Sequence, residues 1–102
     1  MQVDAFQPGD LAQTTCAVTA ASAFFAIPGN GECLELYNVG PNICFIETAQ
    51  GASDAAATVA NSYPVGVGQC KIIRRVSGDI GIMAIAAAAG TATLYVTAGN
   101  GV

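Results

Sequence analysis

A chain of 102 residues is the length of one domain, and a domain this short buries only about two thirds of the surface that its unfolded form exposes. Three basic and seven acidic residues give a formal charge of −4, which excludes a surface that tracks nucleic-acid phosphates, because such a surface needs clustered Lys and Arg. Residues of the apolar class reach 53% and there is no His, so the surface is weakly charged and the usual partner of a Ser or Cys nucleophile is missing.

The longest strongly apolar stretch, 80–89, falls short of the roughly 20 residues that a membrane-spanning helix needs. Residues 1–10 carry neither a positive n-region nor an apolar h-region, so synthesis in a cytosol is the expectation. Residues 1–11, with Pro8-Gly9-Asp10, have no strand or helix period and read as an irregular N-terminal arm ahead of a single domain over 12–102.

Strands are expected at 13–18 and 22–27, the second ending at Pro28-Gly29-Asn30-Gly31, where Asn-Gly signals a hairpin. In 32–38 Leu34 and Leu36 share one face while Cys33, Glu35 and Tyr37 share the other. After a turn at Val39-Gly40-Pro41, Ile43 and Phe45 alternate with Cys44 and Ile46 in 42–48, and both of these strands read as buried on two sides. Residues 49–62 are small and polar and form the long loop. Short strands follow at 63–67 and 69–76, then a Ser77-Gly78-Asp79 turn.

Segment 80–87 is rich in Ala, which favours helix, but Ile80, Ile82, Ala84 and Ala86 fit a period of two, and strand is chosen. The last strand, 91–97, alternates Thr91, Thr93, Tyr95 and Thr97 with Ala92, Leu94 and Val96. Eight short strands separated by turn signals predict an all-β domain, a small β-sandwich or jelly roll. The aromatic residues are expected to fill the gap between the sheets.

Chemistry-bearing groups are sparse. Glu32, Glu35 and Glu47 lie near the centre of the chain, and two of them would make an acid–base pair only if the fold joined them; strand-end solvation is the favoured reading. Sheet-borne aromatics exposed in a row would point to carbohydrate binding, but Tyr37, Tyr63 and Tyr95 are spread singly along the chain. Lys71, Arg74 and Arg75 are the only basic cluster; Arg74 and Arg75 point to opposite faces of a strand, so one is a candidate contact to an acidic neighbouring subunit. Phe6, isolated in the arm, is a second interface candidate, suited to insertion into another subunit's groove.

Cys16, Cys33, Cys44 and Cys70 are separated by 17, 11 and 26 positions, without C-x-x-C, so no metal site is expected and no cofactor is implied. They are disulfide candidates. A hairpin closing between Cys33 and Cys44 would bring those two opposite or diagonal to each other, leaving Cys16 and Cys70 to pair together or across a subunit boundary; three internal connectivities are open, and four buried free thiols are the rival state.

The pattern Ala26-Ile27-Pro28-Gly29, then Leu36-Tyr37-Asn38-Val39-Gly40, then 82–87, then Gly90-Thr91-Ala92-Thr93-Leu94-Tyr95-Val96-Thr97-Ala98-Gly99-Asn100-Gly101 resembles small structural proteins of tailed-phage particles. The resemblance covers roughly residues 24–48 and 64–101, and the four cysteines and the arm depart from it. It implies a head decoration (cement) protein of β-sandwich fold, a homotrimer bound to the major capsid protein on the phage head. Other particle proteins of the neck, tail or fibre, or a carbohydrate-binding adsorption module, are the alternatives, and no enzymatic activity, small-molecule substrate, nucleic acid or membrane is expected.

Overall fold

The computed structural model describes residues 6–28, 31–75, 79–87 and 89–100, and gives no side-chain description for Gln7, Asp10, Leu11 and Ala12. Eight strands follow in chain order: β1 (Gln7–Val18), β2 (Ala23–Ala26), β3 (Cys33–Pro41), β4 (Cys44–Ala49), β5 (Tyr63–Val65), β6 (Cys70–Arg74), β7 (Gly81–Ala86) and β8 (Ala92–Asn100). All eight expected strands form. They pair into two antiparallel four-stranded sheets, β1-β8-β3-β6 and β2-β7-β4-β5.

This order is that of a jelly roll: β1 pairs with β8, β2 with β7, β3 with β6 and β4 with β5, as in one long hairpin rolled into two sheets. Sequence neighbours therefore sit in opposite sheets, except β4 and β5. The hairpins expected around Asn30-Gly31 and around 39–41 do not form, because each of those segments carries the chain from one sheet to the other. Gly29 and Asn30, with the Ser77-Gly78 part of the expected turn, lie outside the described residues.

Alternation in each strand decides what is buried. Leu34 and Leu36 of β3, Leu94, Val96 and Ala98 of β8, and Cys16 and Val18 of β1 face inward from the first sheet. They meet Cys44 and Ile46 of β4, Val65 of β5, and Ile82, Ala84 and Ala86 of β7 from the second. Fully burying each Leu or Ile contributes roughly 1.5–3 kcal/mol. The core is aliphatic and thiol-rich, and the expectation that aromatics fill it is corrected: Phe25 only flanks it, while Tyr37 and Tyr63 are exposed. Small Ala and Cys side chains on the facing strands leave no room for rings.

The outer faces differ. That of β2-β7-β4-β5 is covered by the 50–62 loop, where Ala57 packs with Ala49 and Met83 and is flanked by Phe24 and Ile85. The Ala57 N–H donates to Ser22 Oγ at 2.9 Å, which pins the loop down. Cover on both sides explains why the Ala-rich segment is strand β7 rather than helix: as a central strand it uses both faces. The outer face of β1-β8-β3-β6 carries exposed Gln13, Thr15 and Tyr37, so β3 is not equally buried on its two sides.

Three strands run longer than expected, β8 by continuing past Thr97 to Asn100. β1 begins at Gln7, within the segment read as an arm, and its pairing with β8 shifts register between Pro8 and Gln13. Residues 1–5 of that arm lie outside the described residues, and Phe6 is half-buried just ahead of the strand. β3 continues through Val39-Gly40-Pro41 as an irregular strand, with Gly40 at φ +91° and a cis bond to Pro41.

Candidate functional site

The polar centre of the sandwich is Asn38, which is wholly buried on the inner face of β3. Its amide nitrogen donates to the carbonyls of Asn42 and Val65, both at 2.9 Å, and its Oδ1 accepts from the Gly40 N–H at 2.7 Å. The backbone N–H of Asn38 donates to Gln69 O, and its carbonyl accepts from Gly68 N–H. The side chain thus ties the β3–β4 connection to β5, and the backbone of the same residue holds the turn that follows β5. It is a structural centre, since every polar atom it presents is satisfied from within the chain.

Around Asn38 the connections 19–22, 42–43, 66–69 and 87–91 meet at one end of the sandwich. Asn42 donates to Thr91 O through both its backbone N–H (3.2 Å) and its side-chain amide (3.0 Å), the Ala87 N–H donates to Ile43 O, and the Ala86 N–H donates to Thr19 O. None of these four connections contains a charged residue. The end presents Val39, 44% exposed, and Val67, 53% exposed, beside exposed Pro41, Ala20, Ala21 and Ala89. Glu32, Asp54, Arg75 and Asp79 all lie in the other three connections.

Arg75, an interface candidate by sequence, is committed within the chain: its guanidinium donates to Gly31 O (2.8 and 3.2 Å) and Ile27 O (3.3 Å), holding the β2–β3 crossover. Arg74 is exposed, with Glu32 at 3.9 Å, and a pair so exposed adds little stability. Glu35 stands on the outer face of the first sheet, Glu47 accepts from the Ser62 hydroxyl at 2.7 Å, and Glu32 lies beside Arg74, so the three carboxylates do not converge. No three metal-ligating side chains come together among the described residues.

A shallow depression of about 510 Å³ opens on the bare face of β1-β8-β3-β6, lined by Gln13, Glu35, Tyr37, Cys70, Tyr95 and Thr97. Strand register explains its make-up. Thr15, Tyr95, Tyr37 and Cys70 form one row across the four strands, and Gln13, Thr97, Glu35 and Ile72 form the next. The reading of the tyrosines as isolated is therefore corrected: Tyr37 and Tyr95 are direct cross-strand partners, whose Cβ atoms in such pairs stand about 4.5–5.5 Å apart. Tyr63 is elsewhere, under the Lys71 ammonium at 4.7 Å.

All four cysteines are free thiols. Neither pairing weighed from the sequence is set up by the strands: Cys33 is on β3 and Cys44 on β4 in the other sheet, while Cys16 faces into the sandwich and Cys70 lies on the opposite side of the same sheet. Burial pushes the Cys16 thiol up to about 12, with nearby Cys44 adding to the effect. Burial likewise pushes Cys44 up to about 11, against a backbone hydrogen bond that lowers it. Cys70 is raised by partial desolvation and by the charge and hydrogen bonding of Glu35, but it is exposed.

Because the thiolate is the reactive form, iodoacetamide at pH 8 is expected to alkylate Cys70 alone in the folded protein and all four cysteines in urea. Intact-mass analysis checks this, and a second site modified at the rate of Cys70 would contradict the burial of the others.

Comparison with known proteins finds no matching family model, no similar curated protein and no similar solved structure.

Proposed function

We propose that this protein is a multi-copy structural subunit of a virus particle, a capsid decoration protein that binds the major capsid protein shell and stabilises the head. The observation that carries the proposal is the segregation of charge. Four connections at one end of the sandwich hold no charged residue, and that end exposes Val67 of the 66–69 connection with Val39 and Pro41 from the end of β3. Interface centres are depleted of charge in this way. The strands supply a rigid mount for that end, with Asn38 locking the connections beneath it. The likeness to tailed-phage head proteins adds the expectation of a trimer.

Removing the gene is expected to leave shells that assemble but break more readily on heating or osmotic shock, whereas unchanged particle survival would count against a cement role. A mass-spectrometric copy number per particle separates a shell protein, present in many copies, from a neck or fibre protein, present in few. Val67→Asp is expected to keep the fold, since the side chain is exposed, and to lower particle occupancy at least tenfold, which corresponds to about 1.4 kcal/mol. Full occupancy with Asp at this position would place the docking surface elsewhere.

A further inference from the structure

We propose that the depression on the outer face of β1-β8-β3-β6 is a binding site for an uncharged oligosaccharide, with the Tyr37–Tyr95 pair as its stacking platform. This site lies on the outer sheet face that borders the charge-free end, and different substitutions test the two proposals.

Three observations converge on it. The first is the platform: two tyrosines from different strands, directly paired and both lining the depression, put two aromatic rings side by side for the apolar C–H face of a sugar. The second is the hydrogen-bonding complement. The side chains of Gln13, Thr97, Tyr37 and Tyr95 make no hydrogen bond among the described residues, and together they offer both donors and acceptors, as a ring of hydroxyls requires. The third is charge: Glu35 is the one charged residue in the lining, and no basic side chain joins it. A phosphate, sulfate or sialic acid carboxylate would be repelled there, whereas a neutral sugar would gain an acceptor. The volume of about 510 Å³ lies within the range of small-ligand sites, and the open, shallow form suits a chain that continues beyond the site at both ends.

Cys70 supplies an internal probe. It belongs to the same row as the tyrosines and is exposed, so a carbamidomethyl group placed on it fills part of the depression.

The test uses the purified full chain, titrated with maltoheptaose, cellohexaose, chitohexaose and sialyllactose up to about 10 mM, the weak end of specific binding, and followed by backbone amide shifts. At least one neutral oligosaccharide is expected to shift residues of β1, β3, β6 and β8 in this face. Affinity should fall at least tenfold in Tyr37→Ala, in Gln13→Ala and after alkylation of Cys70, and remain unchanged in Val67→Asp. Because Gln13 and Tyr37 are exposed, both variants should keep the wild-type spectrum elsewhere. Absence of binding by all three neutral sugars, binding of sialyllactose alone, or binding insensitive to Tyr37→Ala and to alkylation would each overturn the proposal.

Discussion

Asn38→Asp is expected to be the most destabilising single-atom exchange in this protein. The amide nitrogen of Asn38 donates to two carbonyl oxygens, and an aspartate would set a second oxygen against them with no proton between. The carboxylate would also be wholly buried without a cationic partner. A buried donor or acceptor left unsatisfied costs about 1–3 kcal/mol and a buried unpaired charge about 3–5 kcal/mol. Against a total stability of about 5–15 kcal/mol for a domain, the variant should lose most of its folded population in moderate urea.

The effect has a definite pH sign. Burial beside carbonyls raises the pKa of the new carboxyl above its unfolded value near 4, so the penalty is smallest below that value and grows as pH rises through the folded pKa. Urea midpoints measured at pH 3.5 and pH 7 should therefore move apart in Asn38→Asp by more than in the wild type. An unfolding free energy at pH 7 within about 0.5 kcal/mol of wild type, the scatter typical of neutral surface changes, would refute the assigned role of Asn38.

Gly31→Ala is the second large effect. Gly31 has φ +121°, a conformation that L side chains rarely adopt, and a Cβ built there would lie 2.2 Å from the carbonyl oxygen of Gly99 and 2.6 Å from its carbonyl carbon. Both obstructing atoms are backbone of β8, which is held between β1 and β3 and has no space to retreat. Neighbouring restraint is strong too, since the Gly31 carbonyl accepts from the Arg75 guanidinium.

Strain of this kind costs about 1–3 kcal/mol before the overlap is counted, so a loss of about 3 kcal/mol or more is expected in chemical denaturation. Gly51→Ala provides the contrast. Its built Cβ meets nothing within 4 Å and its φ is not in the positive region, so stability should be unchanged or slightly higher, by about 0.4–1 kcal/mol. Equal behaviour of the two variants would show that the β2–β3 crossover does not approach β8 as described.

The number of strands, their positions and the sidedness of most of them are written in the local sequence. Alternation in 91–97 separates Leu94 and Val96, which are buried, from Thr93, Tyr95 and Thr97 on the outside. Leu34 and Leu36 likewise mark the inner face of β3 without reference to any partner. Side-chain period is a property of the strand alone, which is why it survives in the sequence.

Partnership is not such a property. Turn residues such as Asn30-Gly31 or Val39-Gly40-Pro41 announce that the chain changes direction, but the same residues serve a tight hairpin and a crossing between sheets. Only the packing of two sheets on one aliphatic core selects the crossing here. Everything that depends on partners was therefore decided by the tertiary structure. The β8–β3 register joins Tyr95 to Tyr37, and placing β3 and β4 in opposite sheets separates Cys33 from Cys44. Folding four distant connections to one end gathers their shared lack of charge into a single surface, because strands that run alternately up and down the sandwich bring every second connection to the same end.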